Sequence, residues 1–477
     1  MSLTQPRPAT LPSAPEPRWS ARLWAVLAVL CLVLFLDGLD VSMVGIALPS
    51  IGHDLGLATG SLQWIINGYV LGYGGLMLLG GRTADLLGRR RVFLIALAVF
   101  AAASLLGGLV DDGTLLIATR FVKGVAAAFT APAGLSILTT TFPEGPQRNR
   151  ALSVFSLFGA LGYSSGLILG GLLTGFGWRW TFLMPVPLAL LALVVGLVLI
   201  PRDRPAGTGG QDPAGAVTLT AGMLLAVYAV VTAPQTGWTS AATLAAFGVA
   251  LVLLLAFVLI EKRVRHPLVR FGILRKATTV RANLSIVALM GSYLSFQFMM
   301  TLFLQDGLGW SPLRMAFALL PVGLIVAVGS PLTGRLVTRF GTAPLIVVSM
   351  TSLTLGYVWF LATAGSAPPY PLAMFPSLIL LGGGFAFGYS AIMSQATEGI
   401  DDSEQGLASG LVQTSGQVGA ALVLAVLTAV LSGAGGSGAD FAAYRPGLDL
   451  VTGVAVVGLL LNVVPVLRLG KDRTARR

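Results

Sequence analysis

The stretch Gly80–Arg91, GGRTADLLGRRR, sets one carboxylate, Asp85, among four arginines, with long apolar runs on both sides. A soluble domain carries about 25% charged residues and rarely strands such a cluster between oily segments. Here 10% of 477 residues are charged and 55% are hydrophobic, with a mean hydropathy of +0.85. A chain this apolar cannot bury its surface in one aqueous core, so its solvent is a bilayer. The charged stretch then reads as a connection at a membrane surface.

Working outward from it, a helix needs about 20 apolar residues to cross about 30 Å of hydrocarbon. Fourteen spans meet that length: 23–47, 62–81, 91–110, 115–140, 151–175, 181–200, 214–233, 241–261, 281–304, 312–334, 343–364, 371–396, 405–431 and 448–467. The fold class expected is all-α and integral to the membrane. With the N-terminus inside, twenty-five of the thirty Lys and Arg residues fall in inner segments. Only Arg179, Arg314 and Arg445 fall in outer loops, as the positive-inside rule requires. Both termini are therefore expected on the cytoplasmic side of a cell inner membrane.

The net charge of +11 comes from these basic loops and does not call for nucleic acid. Residues 1–20, rich in Pro, Ala and Ser, read as a disordered tail. Cys31 is the only cysteine, which excludes an intrachain disulfide. No GxxxxGK[ST] loop is present, and His53 and His266 are the only histidines. No cofactor, metal or catalytic centre is expected. The acidic run Glu398, Asp401, Asp402, Glu404 is the one alternative for an enzyme, and it reads as a solvated inner loop.

A repeat organises the chain. Gly81, Arg82 and Gly88 recur as Gly334, Arg335 and Gly341, 253 residues later, and Leu55-Gly56 recurs as Leu308-Gly309 at the same offset. Spans 1–6 and 9–14 read as two six-helix halves, with spans 7 and 8 inserted. The division expected is a tail 1–21, an N-terminal half 22–200, an inserted pair 201–261, a cytoplasmic loop 262–280, a C-terminal half 281–468 and a basic tail 469–477.

At this point the sequence resembles the major facilitator superfamily, and its fourteen spans resemble the drug:proton antiporter branch. GGRTADLLGRRR is similar to the signature loop between helices 2 and 3. LDVSMVGIALPSI (39–51), ATRFVKGVAAAF (118–129) and GALGYSSGLILGGLLT (159–174) resemble the motifs of helices 1, 4 and 5, and WRWTFLMPVP (178–187) also resembles this branch. The resemblance implies two pseudo-symmetric halves and a conformational latch built from Gly81, Asp85, Gly88, Arg89, Arg90 and Arg335. It implies an antiporter-like glycine motif at Gly162, Gly166, Gly170 and Gly171. Two positions depart from the pattern: Leu167 stands where proline is usual, and Lys123 where glutamine is usual.

Four charges lie inside spans: Asp37 and Asp40 in the first, Arg120 and Lys123 in the fourth. Each central charge costs about 2.5–3.5 kcal/mol on insertion scales, so pairing is expected. At 1.5 Å per residue, Asp40 matches Arg120 in depth and Asp37 matches Lys123. Each pair is spaced i, i+3 and so shares one helix face. The cluster is read as the proton-coupling site, with Asp40 the first choice for the titrating group and Asp37 the second; the alternative is a static clamp. Candidates for a central cavity are Gln63, Asn67, Tyr69 and Tyr73 in span 2, Tyr163 in span 5, Tyr293 and Gln297 in span 9, and Gln413 and Gln417 in span 13. The function expected is a monomeric, proton-coupled exporter of drug-like or antibiotic-like small molecules. The alternative is a porter for a specific metabolite without strict antiport, for which Leu167 is the signal.

Overall fold

The computed structural model describes residues 19–143, 146–202, 212–264, 267, 272, 275–364, 369–400, 402–433 and 441–474. The side chains of Arg82, Asp85 and Leu86, and those from 465 onward, are among those outside the description. The helices are α1 (Ala21–Leu55), α2 (Thr59–Leu87), α3 (Arg89–Leu109), α4 (Gly113–Thr141), α5 (Pro146–Phe176), α6 (Trp180–Leu183), α7 (Pro185–Leu199) and α8 (Pro213–Thr236). They continue as α9 (Ala241–Glu261), α10 (Ala277–Leu302), α11 (Pro312–Phe340), α12 (Thr342–Thr363), α13 (Phe375–Thr397), α14 (Asp402–Gly433) and α15 (Arg445–Thr474). The short α6 leads directly into α7, and the two together make one apolar span, Trp180–Leu199. Fourteen helical segments of 20 residues or more result, in rough agreement with the sequence reading. Twelve of them are long and apolar enough to cross a membrane among the described residues, α2 and α8 being the exceptions.

Local chemistry sets the ends. The side chains of Ser20, Asp112, Ser240 and Ser311 accept the backbone N–H three residues on, capping α1, α4, α9 and α11. Pro312 at the first position of α11 has no N–H to leave unpaired. Pro185 and Pro187, which lack the N–H of a continuous helix, mark the joint between α6 and α7.

The opening stretch differs from its sequence reading. Gly80–Leu87 is not a loop; it is the last two turns of α2. The helix leaves the apolar segment and carries its polar residues beyond it. The break is confined to Gly88, whose φ of 96° is left-handed and suits glycine. The repeat is visible in the backbone at the same offset. Gly341 breaks α11 from α12 with φ 84°, and Gly56 and Gly309 share φ values of 62° and 65°.

The helices α1–α7 pack among themselves, chiefly α1 on α5 and α2 on α4, and α10–α15 pack as a second set. The sets meet through α5 with α11 and α2 with α14. The hairpin of α8 and α9 lies against α2 and α14, with Leu251, Val252 and Leu255 of α9 exposed on its outer face. Exposed large apolar side chains of this kind suit lipid contact. Backbones approach most closely where glycine removes the side chain. A Cβ at Gly124 of α4 would overlap the carbonyl oxygen of Tyr69 in α2. Gly124→Val is therefore expected to lower stability by about 1–3 kcal/mol or to prevent folding; size-exclusion chromatography of detergent extracts, with and without heating, checks this.

Candidate functional site

The site begins with a seam between α1 and α5. Gly162, Gly166 and Gly170 recur every four residues and so form one face of α5. Side chains there would collide with Phe35, with Leu39 and Ser42, and with Met43, all on α1. Gly38 of α1 in turn faces Gly159 and Tyr163. The residues Asp37 to Asp40 are thus pinned against α5 at backbone distance. Gly171, next in the glycine motif, faces the other way, against Pro312, Leu313 and Ala316 of α11.

Asp40 is fully buried and accepts from both Arg120 and Lys123, one on each carboxylate oxygen. Arg120 also donates through Nε to the Ile65 carbonyl of α2 at 3.0 Å. The Lys123 ammonium donates to Ser104 Oγ at 2.8 Å, and that hydroxyl donates to the Phe182 carbonyl at 2.7 Å. Aromatic faces close the cage. Arg120 lies 4.6 Å from the Tyr69 centroid and Lys123 4.7 Å from that of Phe100, with Phe182 beside both cations. Two charges on α4, one on α1 and hydroxyl, carbonyl and ring groups from α2, α3 and α6 thus satisfy one another away from water.

The expected pairing of Asp37 with Lys123 does not form; Lys123 goes to Asp40 instead. The i, i+3 step is about 4.5 Å along the axis, less than the reach of a lysine, so depth could not choose between the two carboxylates. Asp37 is left at the edge of the cluster, 6% exposed, and its Oδ2 has no hydrogen-bond partner among the described residues. It lies within electrostatic range of Lys123, Asp40, Tyr69 and Tyr73. Tyr73 is also within range of Tyr389 on α13. The cluster therefore reaches the junction of the two helix sets through Asp37 and Tyr73.

The other cavity candidates divide into two groups. Tyr163 of α5 donates to Gln297 of α10 and is hydrogen-bonded to Tyr293, bridging the sets. These three, with Leu167, Phe296 and Leu319, line a cavity of about 20 Å³, which holds about one water and no drug-sized molecule. Tyr293 packs on Phe385 and Phe385 stacks on Tyr389, giving an aromatic wall on α10 and α13. The second group lies on α2. Asn67 is fully buried with neither amide atom bonded, and Gln63 Oε1 is also unbonded, among the described residues. Two turns on from Asn67, a Cβ at Gly74 would meet Gln417, so this face of α2 looks onto α14. Gln413 lies one turn before Gln417 on α14 and is partly buried.

Of the residues expected to form a latch, Gly81 lies within the last two turns of α2 and Gly88 just past its end, Arg89 and Arg90 open α3, and Arg335 is exposed near the end of α11. The Asp85 side chain lies outside the described residues. Sequence reasoning missed Ser104, Phe100 and Phe182. A hydroxyl at Ser104 in an otherwise apolar run was the available signal. It also missed a clamp at the opposite end of the bundle: Trp178 Nε1 and Arg179 both donate to Asp54 Oδ2 at 2.8 Å, and Arg179 reaches Asp111 as well.

The sequence model of the Major Facilitator Superfamily matches residues 30–424. The chain is 37% identical to the puromycin resistance protein of Streptomyces alboniger, over 88% of this chain and 83% of that protein. It is also 37% identical to the cephamycin export protein of Amycolatopsis lactamdurans, over 92% of each. The fold is similar to that of the nucleoside transporter NupG, with a TM-score of 0.66 and 14% identity over 93% of this chain and 99% of that one.

Proposed function

The chain belongs to the major facilitator superfamily, and on that premise we propose that it exports amphiphilic, antibiotic-like molecules across the cytoplasmic membrane in exchange for protons. It is a membrane transporter and not an enzyme. Relatives named for puromycin resistance and cephamycin export support an antibiotic-like cargo. The aromatic wall of Tyr293, Phe385 and Tyr389 supports one with apolar bulk.

The observation that carries proton coupling is the unequal treatment of the two aspartates. Asp40 holds two cations. A proton there would strand both in a buried site. A proton on Asp37 neutralises the carboxylate of this cluster that has no ion pair among the described residues. Asp37 is therefore the proton carrier in this reading and Asp40 the fixed anchor. With Asp37 ionised, the four charges cancel; with Asp37 protonated, the cluster carries one net positive charge. A cluster that becomes positive in the outward-facing state repels a cationic cargo and favours its release. Loss of the proton to the inside restores neutrality and lets cargo bind again.

With the N-terminus inside, the tight contact of Gly171 with α11 is the outer seal. The 20 Å³ cavity below it is the cargo path in its shut state. Opening between α5 and α11 and between α2 and α14 widens it and hydrates Gln63 and Asn67. The two six-helix halves, 22–200 and 281–468, rock about this path, and Gly81, Asp85, Gly88, Arg89, Arg90 and Arg335 latch the inner ends. The protein works as a monomer.

Inverted vesicles loaded with the transporter test this. An imposed proton gradient is expected to drive uptake of puromycin or of an amphiphilic dye, and collapsing the gradient with an ionophore is expected to stop it. Transport at the same rate with the gradient collapsed points instead to a porter without strict antiport. Leu167, which lines the small cavity, is the residue that favours this second reading.

A further inference from the structure

A second cavity lies away from the transport path. It has a volume of about 440 Å³ and sits where the start of α1, the start of α3 and the ends of α4 and α7 come together. Ser20 and Arg22 from α1, Arg89 and Arg90 from α3, and Thr140 and Thr141 from α4 supply its polar lining. Among the described residues that line it there are three guanidinium groups and no carboxylate.

We infer that this pocket binds the phosphate headgroup of an anionic membrane phospholipid. Guanidinium forks match phosphate oxygens in charge and geometry, and threonine and serine hydroxyls complete such a shell. Arg90 donates to the Leu197 carbonyl of α7 at 2.6 Å, which fixes that guanidinium at the wall of the pocket. The first turn of α3 adds N–H groups that no side chain caps.

The depth of the pocket suits a lipid rather than a soluble metabolite. Trp19 and Trp24 lie at the same end of the bundle, with Arg150 5.1 and 5.7 Å from their rings. Tryptophans with an arginine beside them mark the level of headgroups. Below the pocket, Ile95 on α3 and Val194, Leu197 and Val198 on α7 are exposed. They offer an apolar track for an acyl chain attached to a phosphate held above. Basic pockets between spans are known to take anionic headgroups on physical grounds of charge and interface position. A phosphate held here joins the ends of three helices that no covalent link connects closely.

Thermal unfolding of delipidated transporter in detergent provides the test. Phosphatidylglycerol is expected to raise the midpoint by about 3 °C or more over phosphatidylcholine, as ligand linkage predicts for a site near saturation. Arg22→Gln is expected to abolish that difference, whereas Arg263→Gln, which removes an equal charge outside the pocket, is expected to keep it. Native mass spectrometry of the wild type should show phosphatidylglycerol retained at higher collision energy than phosphatidylcholine, a readout that needs no variant. Equal responses to the two lipids would overturn the proposal, as would a full response in Arg22→Gln. Stabilisation by inorganic phosphate as large as that by phosphatidylglycerol would identify a soluble-anion site and equally overturn it.

Discussion

Asp40→Asn is expected to be the most damaging single change in the charge cluster. The substitution keeps the shape of the side chain but leaves Arg120 and Lys123 facing a neutral amide, with their charges uncompensated in a dry cage. Breaking a buried pair from one side costs on the order of 3–5 kcal/mol. Lys123→Gln is expected to cost clearly less, because Arg120 still balances Asp40 and the new amide can donate to it. Adding Lys123→Gln to Asp40→Asn is expected to recover part of the loss by removing one stranded cation. Thermal unfolding in detergent, followed by tryptophan fluorescence, gives the order directly. An Asp40→Asn protein as stable as the wild type would mean that the cations find other partners and that Asp40 is no anchor.

Asp37→Asn should behave in the opposite way. Asp37 has an oxygen without a partner, so an isosteric amide breaks no ion pair and the protein is expected to fold with near wild-type stability. Gradient-driven export, however, is expected to fall on the order of 10²-fold, the scale on which proton-transfer groups act. Exchange of labelled for unlabelled cargo across the vesicle membrane, which needs no net proton movement, is expected to persist. The two assays together separate a lost proton carrier from a lost cargo site. If gradient-driven export survives in Asp37→Asn, the proton is carried elsewhere.

Most of the spans were legible in the sequence because hydrocarbon thickness imposes a length on every apolar run. Their ends were less so. Hydropathy ended the second span at Gly81, yet α2 continues to Leu87, because a helix does not stop where the hydrocarbon does. Gly88 and Gly341 marked the true breaks, and the repeat that linked them survives as matching positive φ angles. Depth along the axis brought Asp40 to Arg120, but rotation about the axis is invisible to it. So Lys123 was assigned to Asp37, while the structure turns it to Asp40 and Ser104. Phe100 and Phe182 could not be singled out, since an aromatic that cages a cation reads in sequence like any other apolar residue. The Arg179 clamp was hidden for a related reason: Asp54 lies in the last turn of α1 and Asp111 in the connection between α3 and α4, and only the fold brings them to one guanidinium.

The glycine seam has a mechanical consequence. With no side chains between them along this face, α1 and α5 have little room to slide or part without losing contact along several turns. A tilt of α5 against α11 must then drag the aspartates with it, so that gate and charge site ride on a single lever. A substitution that loosened the seam would disengage the two, leaving a protein that still opens and still titrates but no longer converts one motion into the other.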